Sequence, residues 1–433
     1  MRVWGAREFP RWSTVPYWRA LIVLLLGAVP LQGDESNHEP DALGVPYAFY
    51  NENFGFAVGY AYGRTRFPQP QASALGTIMA GTNESLMAFG LLGNVQVPGT
   101  ERLFLDAAGS AGIFGEIDSY IDGNPDFTDE RAGSNDSDED NFLSGDGVDI
   151  YAQLRFRYLL PIGHGADHIV HPYNVEDGFL TANGSGGTGW HPFESGRSYI
   201  LFEPFYRYQD FDADEGQVEL ITNGILAGLF WDNRDFPIDP SCGNSLRVRW
   251  QQDFGWFGSS DDWTNFQVEY DHYFDLGDTS WFQRQVLALN FWTSVSPSWD
   301  EQDDGSVDNR PPPYAGSRLG GLWRMRGYPS SRFNDKAAIY YAAELRLTPH
   351  LNPFDYWPWL QERVGIDWVQ FVPFIEAGRV APSWQLEELH DDMKYSAGVG
   401  FRFFAEGFVL RIDTAVSEED VGIQMMVGQP FQF

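Results

Sequence analysis

The sequence is poor in the residues that would place it in several common classes of protein. It contains a single cysteine, Cys242, and therefore cannot form an internal disulfide framework. Lysine occurs only at positions 336 and 394, so nearly all positive charge is carried by arginine, which pairs with carboxylates in enclosed places. After residue 31 no apolar run is long enough for a membrane-spanning helix. These absences exclude a disulfide-stapled domain and a helical membrane protein.

Positive charge as a whole is also scarce. The chain carries 61 Asp and Glu against 28 Lys and Arg, which gives a formal net charge of −33. Such an acidic chain is repelled by nucleic acid and by anionic lipid surfaces, so neither is expected as a partner. No motif indicates a cofactor, and we expect none.

The N-terminus has the three parts of a secretory signal peptide. A basic region precedes an apolar run at 20–31, and small and polar residues follow from Gly33. We expect residues 1–33 to be removed on export and residues 34–45 to form a short N-terminal segment of the mature chain. An uncleaved membrane anchor is the alternative.

The rest of the chain consists of short segments in which apolar and polar residues alternate. Val148 and Ile150, for example, fall on one side of such a segment, with Asp149 and Tyr151 opposite. A soluble sandwich would need two sheets around a dry core. A lipid-facing barrel needs only one apolar face on each strand and a polar lumen. The chain length and the number of segments favour the barrel.

We therefore predict an all-β fold, a transmembrane antiparallel β-barrel of about 16 strands that occupies residues 46–433 in a Gram-negative outer membrane. Strands are predicted near residues 47, 56, 75, 86, 102, 148, 197, 220, 244, 264, 283, 337, 368, 393, 407 and 422. With both chain ends in the periplasm, the acidic tract Glu116–Asp140 and the connection 298–335 lie at the cell surface. The long connection 163–196 lies on the periplasmic side.

Two of these connections carry potential metal ligands. The acidic tract has the oxygen ligands that calcium prefers, but it lacks the spacing of a helix-loop-helix calcium site. The periplasmic connection contains His164, His168, His171 and His191 without any cysteine. A solvated charged loop and a glycine-rich loop with scattered histidines are the simpler interpretations. We predict no metal site in either.

A turn between the eighth and ninth predicted strands carries a more specific pattern. Asp232 and Arg234 can pair with each other, Pro237 and Pro240 fix the backbone, and Gly243 closes the bend. Taken alone, this pattern predicts only a rigid periplasmic turn.

The connection before the twelfth strand ends in a glycine-rich loop that contains Arg326, Gly327 and Tyr328. This loop is too polar for a strand and too apolar for a free linker, so we predict an extracellular loop that folds inward. The strand that follows has one apolar and one charged face, and Glu344 lies on the charged face.

Together these segments resemble the outer-membrane assembly-factor superfamily, the bacterial surface antigen barrels of the BamA and TamA type. The resemblance covers residues 47–433 and rests on motifs in the family's order: the Asp-x-Arg-x-x-Pro turn, Arg326-Gly327-Tyr328, Glu344, Phe374–Gly378 and Tyr395–Phe401.

The resemblance implies a clamp inside the lumen. Arg326 is expected to reach the barrel wall and to meet Glu344 and Glu376, which the strand alternation independently places on the lumen face. An arginine fork and two carboxylates in a partly dry lumen would fix the loop through charge-assisted hydrogen bonds. A water-exposed arginine in a disordered loop is the alternative.

The end of the chain carries a further resemblance. The last predicted strand, Gly422–Phe433, ends in Phe431 and Phe433, which resemble the signal by which barrels of this kind are recognised for insertion. The barrel assembly machinery is thus an expected partner during biogenesis. A simple anchor in the interfacial aromatic girdle is the alternative.

The resemblance implies a barrel that inserts, translocates or scaffolds protein or lipid at the outer membrane, through a weak seam between its first and last strands. Residues 34–45 leave no room for the family's periplasmic polypeptide-transport domains, so connection 163–196 is the candidate docking site for a periplasmic protein. A porin-like conduit for small solutes and a surface adhesin or receptor are the alternatives. No catalytic constellation is visible, and we do not expect an enzyme.

Overall fold

The computed structural model describes residues 42–430, apart from residues 52, 122, 123, 128, 214, 215, 303–306 and 406. The predicted signal peptide and the final residues Phe431 and Phe433 lie outside this part of the chain. One antiparallel sheet of sixteen strands, hydrogen-bonded in chain order, dominates the described residues. The prediction of a 16-stranded antiparallel fold is confirmed, and each predicted position falls on or next to one of these strands.

Strands are numbered in chain order and include six short ones in the connections. The strands of the main sheet are β1 (Ala42–Asn51), β2 (Gly55–Thr65), β3 (Ser73–Gly81), β4 (Leu86–Gln96), β5 (Leu103–Ser119), β6 (Leu143–Leu159), β9 (Arg197–Ala213), β10 (Gly216–Arg234), β11 (Gly243–Phe254), β12 (Asp262–Gly277), β13 (Phe282–Val295), β18 (Ala337–Pro349), β19 (Ile366–Ala381), β20 (Lys394–Ala405), β21 (Phe408–Val416) and β22 (Val421–Val427).

The connections contain three short hairpins and four short helices. The hairpins are β7 (Asn174–Glu176) with β8 (Phe179–Ala182), β14 (Asp300–Glu301) with β15 (Val307–Asp308), and β16 (Ser317–Leu319) with β17 (Phe333–Asp335). The helices are α1 (His164–Asp167), a 3₁₀ helix (Pro353–Tyr356), α2 (Pro358–Val364) and α3 (Leu386–His390). Among the described residues, none of these helices is long and apolar enough to cross a membrane.

Three strand boundaries differ from the predicted ones. The first strand begins at Ala42 rather than at residue 46, because Ala42 already pairs with Arg64 on β2. The segment 116–119, predicted as part of a loop, extends β5 beyond a bulge and pairs with β6. The last strand ends at Val427 instead of continuing to the C-terminus, because Gly428 has a φ of 107° and leaves the extended conformation.

The two faces of the sheet differ in polarity along most strands. On β2, the side chains of Phe56 and Val58 are 48% and 52% exposed, whereas Ala57 between them is buried. On β12, Phe266 is exposed while its neighbour Asn265 is completely buried. Apolar side chains outside and polar side chains inside are what strands need when one face contacts lipid.

Large aromatic side chains are exposed where the strands meet the connections. Trp190, Trp281 and Trp357 are exposed at the end assigned to the periplasm, and Trp256 and Trp384 are exposed at the opposite end. Two such belts are typical of the interfacial girdles that flank the apolar band of a membrane barrel.

The sheet wraps round so that its two edges meet, but they meet through side chains. Among the described residues, no backbone pairing joins β1 to β22. Leu43 and Val45 on the inner face of β1 belong to an apolar cluster against which Phe403, an outer-face residue of β20, is packed. A Cβ atom at Gly63 on the inner face of β2 would lie 2.9 Å from the ring of Phe408 on β21. The first strands therefore overlap the outer face of the last strands.

Candidate functional site

The connection between β13 and β18 (residues 296–336) folds into the lumen. Its Met325 and Tyr328 side chains are almost fully buried and belong to one apolar cluster with Trp292 and Tyr340 of the barrel wall. The neighbouring Arg326 is only 1% exposed. Apolar packing thus holds the tip of this connection in the interior of the barrel. We call the connection 296–336 the lumen loop.

Arg326 contacts carboxylates on three different strands. Its backbone N–H and its Nε donate to the two oxygens of Glu376 at 2.7 and 3.0 Å. Its Nη1 donates to Glu344 Oε1 at 2.9 Å and to Asp413 Oδ2 at 2.7 Å. Because all four groups are buried, these charge-assisted hydrogen bonds are much stronger than surface ion pairs. We call Arg326, Glu344, Glu376 and Asp413 the lumen clamp.

Three further arginines compensate the carboxylates of the clamp. Arg346 donates through Nε and Nη2 to Glu344 at 3.1 and 3.0 Å. Arg402 contacts both Glu344 and Asp413, and the Nε of Arg411 lies 3.5 Å from Asp413. Four guanidinium groups therefore surround three carboxylates, which leaves no carboxylate without a cation.

Neutral groups complete the surroundings of Glu376 and Arg326. The hydroxyls of Tyr340 and Ser396 donate to Glu376 at 2.5 and 2.6 Å. The Arg326 Cζ atom lies 3.5 Å from the centre of the Phe374 ring, so the guanidinium also makes a cation–π contact. The guanidinium is thus held by carboxylates through Nε and Nη1 and by an aromatic ring on its face.

The two residues after Arg326 have separate structural roles. A side chain at Gly327 would collide with the backbone of β21, because a Cβ atom there would lie 2.8 Å from the carbonyl carbon of Val416. Tyr328 donates its hydroxyl to the Tyr395 carbonyl oxygen on β20 at 3.2 Å. The motif therefore combines a charged anchor, a site of close backbone approach and an aromatic anchor.

A second buried arginine connects the lumen loop to the other surface connections. Arg332 donates to both carboxylate oxygens of Glu419 at 2.7 and 2.9 Å, and to the Ser137 side chain and backbone at 2.9 and 2.6 Å. Arg131 and Asp335 form a further ion pair at 2.8 Å. The loop is thus fixed from the cell-surface side as well as from the barrel wall.

The acidic tract differs from the fully solvated loop that was predicted. Its carboxylates at Asp138, Glu139 and Asp140 are exposed, as expected, but Ser137 and Asn141 are buried. These side chains bond to backbone groups or to neighbouring connections, so part of the tract covers the lumen loop. Alternation and charge reveal the exposed residues but not such polar contacts between loops.

The structure brings Arg326 together with Glu344 and Glu376, the two partners named from the sequence. It adds Asp413, which the sequence reasoning missed, and the compensating arginines Arg402 and Arg411. The sequence does contain a signal for Asp413 and Arg411, because the alternation on β21 places both residues on the same face as the buried Ala415.

The Asp232–Gly243 turn lies at the end of the barrel assigned to the periplasm. Arg234 Nε donates to Asp232 Oδ1 at 2.7 Å, and both side chains are buried. Gly243 has a φ of 94°, and a Cβ atom there would lie 2.1 Å from the Asn233 carbonyl oxygen. Pro237 and Pro240 lie between these two fixed points, so every motif position falls in one rigid turn.

The same turn reaches inward and contacts the opposite side of the barrel. Asp239 is 1% exposed and forms an ion pair with Arg284 on β13. It also accepts a hydrogen bond of 3.0 Å from Gln429, which lies just after β22. These contacts cross part of the periplasmic opening.

The periplasmic insertion (residues 163–196) covers more of this opening. It begins after β6 and ends before β9, yet the tip of its β7–β8 hairpin lies against β19 and β20. Trp368 Nε1 donates to the Gly178 carbonyl oxygen at 3.2 Å, and the Phe179 ring packs on Trp368, with centroids 6.0 Å apart. A segment that starts on one side of a 16-stranded barrel and reaches the other side must cross the periplasmic mouth.

The histidines of the insertion bind backbone carbonyls. The rings of His164 and His171 contact the carbonyl oxygens of Ser185 and Asn183 at 2.9 and 2.8 Å. Among the described residues, no group of three or more His, Cys, Asp or Glu side chains could hold a metal ion. The insertion is a folded cover for the barrel mouth rather than the glycine-rich loop that the sequence suggested.

These features define an outer-membrane β-barrel whose lumen is occupied from both ends. Residues 198–431 match the model of the Omp85 superfamily domain, and since this is more than half of the chain, the protein belongs to the Omp85 superfamily. Its location is the outer membrane of Gram-negative bacteria, as predicted. The superfamily consists of transporters and assembly factors that are not enzymes, which agrees with the expectation from the sequence.

Three solved structures resemble the chain. CdiB from Escherichia coli shares 9% identity at a TM-score of 0.54, covering 94% of this chain and 66% of that chain. CdiB from Acinetobacter baumannii shares 9% sequence identity at a TM-score of 0.50, and the match covers 94% of this chain and 65% of that chain. BamA from Haemophilus ducreyi lacking POTRA domains 1–3 shares 10% sequence identity at a TM-score of 0.47, and the match covers 95% of this chain and 74% of that chain.

At these identities the two CdiB structures support the fold alone. The chain spans about two thirds of the length of the CdiB chains. The search of curated protein sequences found no match.

The lumen clamp predicts a specific defect for Arg326→Ala. Removing the guanidinium leaves buried carboxylates on three strands with fewer cations, which costs about 3–5 kcal/mol. We expect the lumen loop to leave its site and trypsin to cleave the folded protein after Arg318 or Arg324. Limited proteolysis in detergent measures this. Lys336→Ala removes a charge from the end of the same connection and should leave the loop protected. Equal protection of Arg326→Ala and the wild type would contradict the clamp.

The lumen loop and the periplasmic insertion cover the lumen from opposite ends, which predicts a non-additive effect of their variants on conductance. Arg326→Ala alone leaves the periplasmic mouth covered, so its conductance in planar bilayers should stay low. A side chain at Gly178 would have its Cβ atom 2.7 Å from Phe404 and Trp368, so Gly178→Val should expel the hairpin. We expect the double variant to conduct more than the two single variants combined. Thr181→Val, at an exposed position of the hairpin, is the control. Full conductance of Arg326→Ala alone would refute the periplasmic cover.

The rigid turn predicts an unreactive thiol. Burial, together with the nearby Asp235 carboxylate, raises the pKa of the Cys242 thiol to about 11. At pH 8 roughly one thiol in a thousand is then ionised, whereas an ordinary thiol with a pKa near 8.5 is roughly one quarter ionised. We expect maleimide labelling more than about a hundredfold slower than for Cys242→Ser/Ser280→Cys, with a rate that rises up to pH 11. Similar rates at pH 8 would contradict the prediction.

Proposed function

We propose that this barrel assists the insertion, translocation or scaffolding of protein or lipid at the outer membrane by opening the seam between β1 and β22. The observation that carries the proposal is the seam itself, because the described residues show no backbone pairing between these two edge strands. Unpaired strand edges at membrane depth are costly, since lipid offers them no hydrogen bonds. An edge in this state is suited to pair with another strand.

The side-chain contacts of the seam support its opening. The overlap of β1 and β2 with β20 and β21 involves apolar residues such as Leu43, Val45 and Phe403, without an ion pair among them. Gly59 and Gly63 lie on the inner face of β2, where a small residue adds little to packing. Separation of these strands would break apolar contacts in a lipid environment, which replaces them at little cost.

The clamp supports the same proposal in a different way. It joins β18, β19 and β21 to the lumen loop through buried ion pairs. Breaking a buried ion pair costs several kcal/mol, so the clamped strands hold their arrangement while the seam moves. A barrel that opens at one edge needs such a fixed frame.

A porin-like conduit is less well supported, because the lumen loop and the periplasmic insertion both lie in the path of a solute. No observation favours a surface adhesin over the seam. We further propose that a periplasmic protein delivers substrate at the insertion 163–196, whose Trp190 and Phe193 side chains are 77% and 72% exposed.

A reversible lock tests the seam. In a Cys242→Ser background, Leu43→Cys and Phe403→Cys place thiols on two residues of one apolar cluster, and a reducible bis-maleimide joins them. We expect the locked protein to fail in restoring the outer-membrane proteome of a strain that lacks this gene, and reduction to restore it.

The matched control joins two strands that are already hydrogen-bonded. Ile78 and Ala88 face each other on β3 and β4, so Ile78→Cys/Ala88→Cys introduces the same chemistry without affecting the seam. Full complementation by the locked seam variant, with crosslinking verified on gels, would refute seam opening as the mechanism.

A further inference from the structure

A large cavity remains in the lumen between the two covers. Its volume is about 1230 Å³, larger than most ligand pockets of proteins. The lumen loop lines it from the cell-surface side through Leu322 and Trp323. Phe354 and Val364, which belong to the connection between β18 and β19, line it near the periplasmic end. The lumen loop and this periplasmic connection therefore each form part of the cavity wall.

One wall of the cavity is apolar, which is unusual for a barrel interior. The inner face of β3 and β4 presents Leu75, Met79, Met87, Phe89 and Leu91 to the cavity. No other segment of the described inner face has such a continuous set of long apolar side chains on neighbouring strands. Their methylene and aromatic groups match an acyl chain.

The opposite wall carries an excess of arginine. Arg249 and Arg324 both contact the single carboxylate of Glu269, at 3.5 and 3.0 Å, and Arg247 contacts the same carboxylate at 3.3 Å. Arg318 also lines the cavity. Its Nη1 donates to the Ser331 hydroxyl at 3.0 Å, and in the described part of the chain no carboxylate pairs with it. Three of these cations thus share one carboxylate and the fourth has no carboxylate partner among the described residues, so this wall is suited to an anion.

The cavity extends into the seam. Phe408 and Ile412 of β21 and Met425 of β22 lie on the outer faces of their strands, yet they line the same cavity as the inner-face residues of β3 and β4. The opening between the overlapping edges therefore leads from the interior toward the membrane. A ligand that enters there comes from the lipid phase.

We propose that this cavity binds a membrane lipid with an anionic headgroup. The acyl chain lies against the apolar wall of β3 and β4 and passes through the seam. The anionic group accepts hydrogen bonds from Arg318, Arg249 and Arg324. The inference does not rest on the proposed function, because binding requires only the cavity and its opening.

The acidic net charge of the chain does not oppose such a ligand. Asp138, Glu139 and Asp140 are exposed at the cell surface, whereas the lumen wall around Arg318 is locally positive. The exposed carboxylates lie in water, where salt screens their field beyond about 8–10 Å. Anionic lipid surfaces are repelled by the loops, while a single lipid inside the barrel meets arginine.

Native mass spectrometry of the full chain in non-ionic detergent tests the proposal. The probes are phosphatidylglycerol, phosphatidylcholine with the same acyl chains, and glycerol phosphate. We expect phosphatidylglycerol to bind at least about tenfold more tightly than phosphatidylcholine, because the choline cation is repelled by the arginines and offsets the charge of the phosphate that both headgroups share. Glycerol phosphate, which lacks a chain, should not bind. Equal binding of the two lipids, or binding of glycerol phosphate at the same concentration, would overturn the proposal.

Two variants locate the site. Arg318→Gln removes the cation without a carboxylate partner, so no ion pair is broken and the fold should be retained, as heat-shifted gel migration can verify. Arg249→Gln leaves Arg247 and Arg324 with Glu269. Each should weaken phosphatidylglycerol binding about tenfold. Arg379→Gln, on the outer face of β19, is the matched control and should bind normally. Unchanged binding by both cavity variants, or an equal loss in Arg379→Gln, would place the lipid outside the cavity.

Discussion

The burial of the Arg326 guanidinium is the constraint on which the rest of the lumen depends. Arginine stays charged under all ordinary conditions, so a fully buried guanidinium must be surrounded by acceptors and anions. β18, β19 and β21 each supply one carboxylate. Three carboxylates would in turn be too many for one cation, and Arg346, Arg402 and Arg411 balance them. One arginine at a loop tip thereby determines the polar residues of neighbouring strands.

This network divides the barrel into two parts with different interactions. The strands from β18 to β21 carry buried charges that fix them to the lumen loop. β3 and β4 present apolar side chains to the interior, and there the wall has no charge that would fix it to another element. At the seam, the apolar cluster of Leu43, Val45 and Phe403 brings the two parts together. The ion pairs of the lumen clamp lie on β18, β19 and β21, so separation of β1 from the outer face of β20 leaves them intact.

The sequence predicted the repetitive part of this structure well and the interactions between distant segments only in part. Alternation in each strand gave the sixteen strands and placed Glu344 and Glu376 on the lumen face, because orientation in a strand is a local property. The family resemblance added their meeting with Arg326. Asp413 was missed because its contact with Arg326 spans 87 positions in the chain. The periplasmic cover was missed because Phe179 packs on Trp368 from the other side of the barrel, and no local pattern records that contact.

The contacts of the two edge strands indicate which one moves when the seam opens. β22 is tied to the interior, because Arg411 contacts both the Leu322 carbonyl oxygen and Met426, and Gln429 bonds to Asp239. Among the described residues, β1 meets the rest of the seam through apolar side chains such as Leu43 and Val45, and its backbone pairs with β2 alone. Displacement of β1 would break the hydrogen bond between the Tyr47 and Thr77 hydroxyls, whereas displacement of β22 would break the contacts of Arg411 and Gln429 with the interior. Opening of the seam is therefore expected to move β1 and β2 outward from a fixed β22, and this movement would also widen the apolar side of the cavity.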